Sequence, residues 1–326
     1  MLFRLFSRSN PLAYLAVAVV LVLLRLRLIL APEFYVIGDQ TALYAPLWNS
    51  VFGHVGQASL LSVVLAIVAT MLCALLVNNI VNRFGLVPQQ GAAAGLFFVI
   101  LAGGLRHSMA FQPIIIYSLF FVWALDRLFS SMRKESPYAS VGWGFAIATA
   151  GSLFWAKGIW LLPLLFLVLL VIRQSSARCL AAALVGIVGV AFVAASVDLF
   201  VCNPIVDGQL LLRSAFDTQA LWKIGAFSIS YMSIVLLLVL WATLSTQRHL
   251  VEMTIQESRR MRVAEWIVFL SVFFITLPGF SYEMQVLFAV GASMFLPSFV
   301  LRLRSDAMKD LFLVLLIGVT AWIIYV

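Results

Sequence analysis

Residues 58–78 read ASLLSVVLAIVATMLCALLVN, a stretch without one charged side chain. A helix of this length covers about 30 Å, the thickness of a bilayer's hydrocarbon core. Gly56-Gln57 precede the run and Arg83 follows it, so it reads as a membrane-crossing helix with polar ends. Apolar runs of the same kind recur along the chain, at 11–31, 91–105, 113–129, 139–155, 158–172, 179–200, 224–245, 264–277, 283–300 and 310–326. The expectation is an all-α, polytopic bundle of about eleven spans forming one integral membrane domain, 1–326, with no soluble domain.

Composition agrees. Of 326 residues 64% are hydrophobic and 10% charged, whereas soluble domains carry about one-quarter charged residues. That excludes disordered, coiled-coil and disulfide-scaffold classes. The net charge of +8 invites a nucleic-acid reading, but basic membrane proteins place such charge in cytoplasmic loops. No nucleic-acid partner is expected; the bilayer is. Cys73, Cys179 and Cys202 are too few and too scattered for a disulfide framework or metal cluster. His54, His107 and His249 lack metal-ligand spacing.

Orientation follows from lysine and arginine in alternate connections. With the N-terminus in the cytoplasm, fifteen fall inside, among them Arg83, Arg133, Arg259 and Arg260, and only Arg106, Lys157, Arg213 and Lys223 fall outside. The expected location is a bacterial inner membrane. Arg4 and Arg8 before an apolar run resemble a signal peptide, but Arg25 and Arg27 interrupt it, so the run reads as a retained first span. The segment 246–263 reads as a solvated basic loop, and Asp126 as a structural partner of Arg127.

Chemistry-bearing residues concentrate on the expected outer face. The segment 32–57 holds Glu33 and Asp39 with no basic neighbour, and Leu43, Leu47 and Val51 are spaced for an amphipathic surface helix. A second surface helix is expected in 201–223. A carboxylate there can act as general base, hold a divalent cation, or simply face water. Arg25 and Arg27 lie within a span, where ionisable residues turn toward the bundle interior or a cavity; an anion site and interfacial snorkelling are both open. Arg106-His107 and Lys157, which Trp155 and Trp160 flank, are further candidates for binding substrate or anchoring at the membrane edge. No phosphate loop, zinc-protease motif, C-x-x-C or nucleophile elbow occurs.

Three features together resemble the polytopic glycosyltransferases of the GT-C superfamily. They are the first outside loop with Gly38-Asp39-Gln40-Thr41-Ala42-Leu43-Tyr44; the run from Gln112-Pro113 through Ala124-Leu125-Asp126-Arg127 to Gly151-Ser152-Leu153-Phe154-Trp155-Ala156-Lys157-Gly158; and the long 201–223 loop. The resemblance covers about residues 10–225, with additional spans over 226–326. It implies transfer of a sugar from a polyprenyl-phosphate-linked donor in cell-envelope glycan assembly. Asp39, or Glu33, would be the catalytic carboxylate, with Arg25, Arg27, Arg106, His107 and Lys157 on the substrate. It departs from the family at the first-loop acid, which is single where a pair is common. Length and plan are also similar to an uncharacterised family of small polytopic bacterial inner-membrane proteins. Two other functions stay open beside the transferase: a non-catalytic membrane subunit of an envelope complex with membrane-protein partners, and a transporter of a lipid-linked substrate.

Overall fold

The computed structural model describes residues 2–7, 10–30, 46–52, 55, 59–88, 91–105, 110–201, 226–247, 254–276 and 284–325. Those residues form helices and connections, with no strand among them. The helices are α1 (Leu2–Ser7), α2 (Pro11–Leu24), α3 (Leu26–Leu30), α4 (Pro46–Phe52), α5 (Leu60–Phe84), α6 (Ala93–Gly103), α7 (Pro113–Ser131), α8 (Tyr138–Phe154), a 3-10 turn (Ala156–Leu161), α9 (Leu162–Val171), α10 (Ala177–Val201), α11 (Ala226–Gln247), α12 (Ile255–Thr276), α13 (Gln285–Leu301) and α14 (Asp306–Tyr325). Five of them, α5, α7, α10, α11 and α14, contain stretches long and apolar enough to cross a membrane.

Local chemistry sets the boundaries. Asn10 caps α2 by accepting from the Leu12 amide, and Pro11 occupies the first turn, where its missing N–H costs nothing. Ser59 caps α5 in the same way through the Ser62 amide. At its other end α5 stops at Gly85, whose φ of 68° is the left-handed conformation that glycine adopts without strain.

Two helices make the centre. Every residue of α6 is buried, and so is α13 from Gln285 to Val300. Helix α13 packs against α12, α6 and α11, and α6 against α5 and α2. Helix α7 joins this centre to α8, and α8 carries α10 on the periphery.

At eleven residues α6 is about 16 Å long, roughly half a bilayer's hydrocarbon core. Its ends therefore lie inside the bundle, where backbone groups must find protein partners. Asn82 brackets Gly91, donating from Nδ2 to the Gly91 carbonyl at 2.8 Å and accepting the Gly91 amide at 3.3 Å. One turn earlier Asn78 accepts from the Gly95 amide and donates to the Tyr14 hydroxyl. At the far end the Tyr231 hydroxyl donates to the Leu101 carbonyl at 3.1 Å. The Tyr231 ring lies where a Cβ on Gly104 would be, 2.2 Å from its nearest atom, so only glycine fits there.

Three details differ from the sequence expectation. Helix α12 begins at Ile255, inside the segment expected to be a solvated loop, and its Arg260 is 2% exposed. Asp126 pairs with Arg83 at 3.1 Å; consecutive helical residues such as Asp126 and Arg127 do not face one another. In α4, Trp48 is buried and Phe52 half-buried while Val51 is exposed, so the buried face sits one position beyond the expected Leu47/Val51 stripe. Leu43 and the 201–223 surface helix, apart from Val201 in α10, fall outside the described residues.

Candidate functional site

Arg25 breaks the first apolar segment. Helix α2 ends at Leu24, α3 resumes at Leu26, and between them Arg25 has φ −102° and ψ 8°. The Arg25 side chain is 0% exposed, and its Nη2 donates to Thr70 Oγ1 at 3.0 Å. Thr70 lies about 15 Å along α5 from Leu60, near the middle of a helix about 36 Å long. Its hydroxyl in turn donates to the Ala66 carbonyl at 2.6 Å. A guanidinium therefore sits deep among helices, a placement that demands hydrogen-bonding and charge partners.

Arg27 takes the opposite side. Two helical positions apart, side chains diverge by about 200°, and Arg27 is exposed. Its Nη1 donates to the Ile324 carbonyl at 3.1 Å. That carbonyl belongs to the last turn of α14, where the helix dipole favours a cation.

Lys157 lies in the 3-10 turn and is 8% exposed, a buried ammonium at a position expected to top a hairpin at the membrane edge. Tyr117 holds this turn. Its hydroxyl donates to the Gly158 carbonyl at 3.2 Å, and its ring packs 5.2 Å from Trp155. A Cβ on Gly158 would lie 2.3 Å from the Tyr117 ring, so the Lys157-Gly158 pair requires its glycine.

Of the cations expected at the site, the two that are buried belong to different helix groups. Arg25 rests on α5, and Lys157 sits in the α7–α8–α9 corner. Asp39, Glu33, Arg106 and His107 lie outside the described residues. Gln112 precedes α7 and is buried, while Ser62 Oγ accepts the Phe111 amide at 3.0 Å. Phe111, Trp48 and Phe52 form an aromatic cluster with ring centroids 4.9 to 5.1 Å apart.

A second charged constellation surrounds Phe84 at the other end of α5. The guanidiniums of Arg83, Arg133 and Arg260 lie 5.3, 5.0 and 4.8 Å from its ring centroid. Arg133 donates to the Arg83 carbonyl and Arg260 to the Phe84 carbonyl, so two of the cations satisfy the exposed C-terminal carbonyls of α5. Burial, with Arg133 beside it, pushes the Arg260 guanidinium down to about 10, and Glu257 opposes that shift. It remains protonated at neutral pH. Sequence reading missed this assembly because its members come from three separate connections. The only signal was their shared membership of the inside set.

Two cavities are prominent. One, of about 850 Å³, is an apolar groove between α8 and α10; the other, about 540 Å³, runs between α11 and α12 and has Gln247, Arg262 and Glu265 at one end. Neither is lined by Arg25, Arg27 or Lys157. Among the described residues, no three of His, Cys, Asp and Glu come together as ligands for a metal ion. No family model matches the chain, and no curated protein or solved structure matches it.

Proposed function

We propose that this chain is a non-catalytic membrane subunit of a larger envelope assembly. In this reading it sits in a bacterial inner membrane through eleven crossings, with its N-terminus in the cytoplasm. The filled interior carries the proposal. Helix α6 is buried throughout and α13 from Gln285 to Val300; Asn78 and Tyr231 bind α6 backbone, and Asn82 binds Gly91 just before it. A transferase or carrier needs a polar cavity at its reacting or transported group, whereas among the described residues both prominent cavities are grooves lined mainly by apolar side chains.

The contacts support the crossings. Beyond the five long helices, the α2–α3 pair, α6, α8, the 3-10 turn with α9, α12 and α13 coincide with the remaining expected spans. Residues expected on one side also meet on one side. Arg83, Arg133 and Arg260 gather at Phe84, and the Phe3 amide donates to Asp310; at the opposite end Arg27 reaches Ile324.

A second reading, transfer from a polyprenyl-phosphate-linked sugar, is favoured by the buried Arg25 and Lys157. They would stabilise a departing phosphate, with Asp39 or Glu33 as base or as ligand to a divalent cation, and Arg27, Arg106 and His107 beside the donor. Complementation of a deletion strain separates the two. Asp39→Asn and Glu33→Gln, each at normal membrane level, restore the wild-type phenotype if the chain is a non-catalytic subunit. Loss of complementation by either, with normal level and insertion, overturns that reading in favour of the transferase.

A further inference from the structure

The groove between α8 and α10 is lined by apolar side chains, half of them alanine or glycine and the rest larger, among them Trp143 and Leu153. Ala139, Gly142, Ala146 and Ala150 line it from α8, and Ala182, Gly186 and Gly189 from α10. The helices run parallel and touch where a Cβ on Gly186 would lie 2.3 Å from the Gly142 carbonyl. A Cβ on Gly189, one turn further along α10, would meet nothing within 4 Å. The lining extends from Tyr138 to Leu153 on α8, about 22 Å. One leaflet of hydrocarbon is about 15 Å deep.

The Tyr138 end is charged. Arg178 is exposed at the start of α10, one turn before Ala182 on the helical stripe that continues through Val185 and Gly189. Lys134, in the turn before α8, donates to the buried Ser140 Oγ at 2.8 Å, on a different face of α8 from Ala139 and Gly142, so it stands beside the groove rather than in it. Arg173 lies exposed in the turn before α10, while Arg133 is committed to the Arg83 carbonyl at Phe84; Glu135 is the opposing acid in these two turns. The first turn of α10, capped by Ser176 through the Cys179 amide, adds the positive end of a 25-residue helix dipole. An apolar channel longer than a leaflet, with a cationic mouth at one end, matches a molecule with acyl chains and a phosphate head. A second copy of the chain would meet these cations with its own.

We propose that the α8–α10 groove is a binding site for an anionic phospholipid, with acyl chains along Gly142, Ala146 and Gly189 and the headgroup phosphate at Arg178. The inference rests on the membrane placement above and is independent of whether the chain is a subunit or an enzyme. It is tested with the full chain in nanodiscs of phosphatidylcholine doped with phosphatidylglycerol, by counting lipids retained on release in native mass spectrometry. Wild type retains phosphatidylglycerol over phosphatidylcholine. Arg178→Gln lowers that retention about five-fold, the worth of one basic residue at a lipid surface. Gly189→Leu, which fills open space, abolishes it while leaving thermal unfolding unchanged. Equal retention of the two lipids, unchanged retention in Gly189→Leu, or displacement of the lipid by millimolar inorganic phosphate overturns the site. So does a wild-type dimer that Gly189→Leu dissociates, because the groove's occupant is then a second copy. Failure of wild type to enter nanodiscs at all overturns the membrane placement, a result separate from loss of lipid selectivity in an inserted protein.

Discussion

Arg25 donates a 3.0 Å hydrogen bond to Thr70 inside the bundle, at a depth where neither side chain reaches water. Arg25 lies at the break between α2 and α3 and turns inward, while Arg27, two positions later and so on the opposite side of the helix, stays outside. Thr70→Val keeps the side chain's shape and removes the acceptor. It should destabilise the protein by about 1–3 kcal/mol, the cost of leaving a buried charged donor short of one partner. Thermal unfolding in detergent micelles measures this. Arg27→Gln, at an exposed position, should shift stability by no more than about 0.5 kcal/mol in the same assay.

Gly186 and Gly189 make a matched pair on α10. A methyl group at Gly186 would press on the Gly142 carbonyl at 2.3 Å, and that backbone atom cannot swing aside. Gly186→Ala should therefore cost about 1–3 kcal/mol as overpacking of the α8–α10 contact. Gly189→Ala meets no atom and gains helix propensity, so it should be neutral or stabilising by up to about 1 kcal/mol. Equal effects from the two substitutions would show that the helices do not approach as closely as the structure places them.

The apolar segments were legible because each requires only length and lack of charge; among the described residues each expected span from 58–78 to 310–326 overlaps helix, and five of the helices are long and apolar enough to cross a membrane. Polar partners were not legible in the same way. Asn78 closes the 58–78 run and Asn82 lies just past it, and nothing in the sequence assigns them a partner; yet they hold the start of α6, because a half-length helix buried in the bundle has backbone groups to satisfy. Arg260 read as a solvated loop residue because its local sequence is basic, and nothing local announces that Phe84, 176 positions away, will cover it. Of the candidate site, the charge of Arg25 and Lys157 was visible in the sequence, but their separation onto different helix groups was set by packing.

Asn82→Ala should remove both hydrogen bonds to Gly91 and destabilise the protein by about 1–3 kcal/mol, since the Gly91 amide and carbonyl then lose a side-chain partner. Asn82→Asp keeps the acceptor for the Gly91 amide and loses the donor to its carbonyl. It should not rescue, because a carboxylate placed against a carbonyl oxygen is repelled. Urea or SDS titration of tryptophan fluorescence reads both. An Asn82→Ala protein as stable as wild type would mean that α6 is held by its apolar packing alone.

Topology can be read with two fusions. Phe111 and Ser62 share one end of the bundle, and Arg133 and Phe84 share the other. The turn after α7, carrying Arg133 and Lys134, belongs with the basic cluster at Phe84, and lysine and arginine are retained on the cytoplasmic side. The segment before α5 ends at the opposite face. An alkaline phosphatase fusion after residue 57 should therefore be active, and one after residue 135 inactive, with a fluorescent cytoplasmic reporter giving the reverse pattern. The two sites are separated by α5, α6 and α7, so an odd number of crossings between them is required for opposite results. Were α6, at about 16 Å, to enter and leave on the same side as a re-entrant element, the number would be even and both fusions would report the same side. Agreement between the two fusions would contradict the structure, in which α7 starts beside Ser62 and ends beside Phe84, and would lower the proposed number of crossings by one.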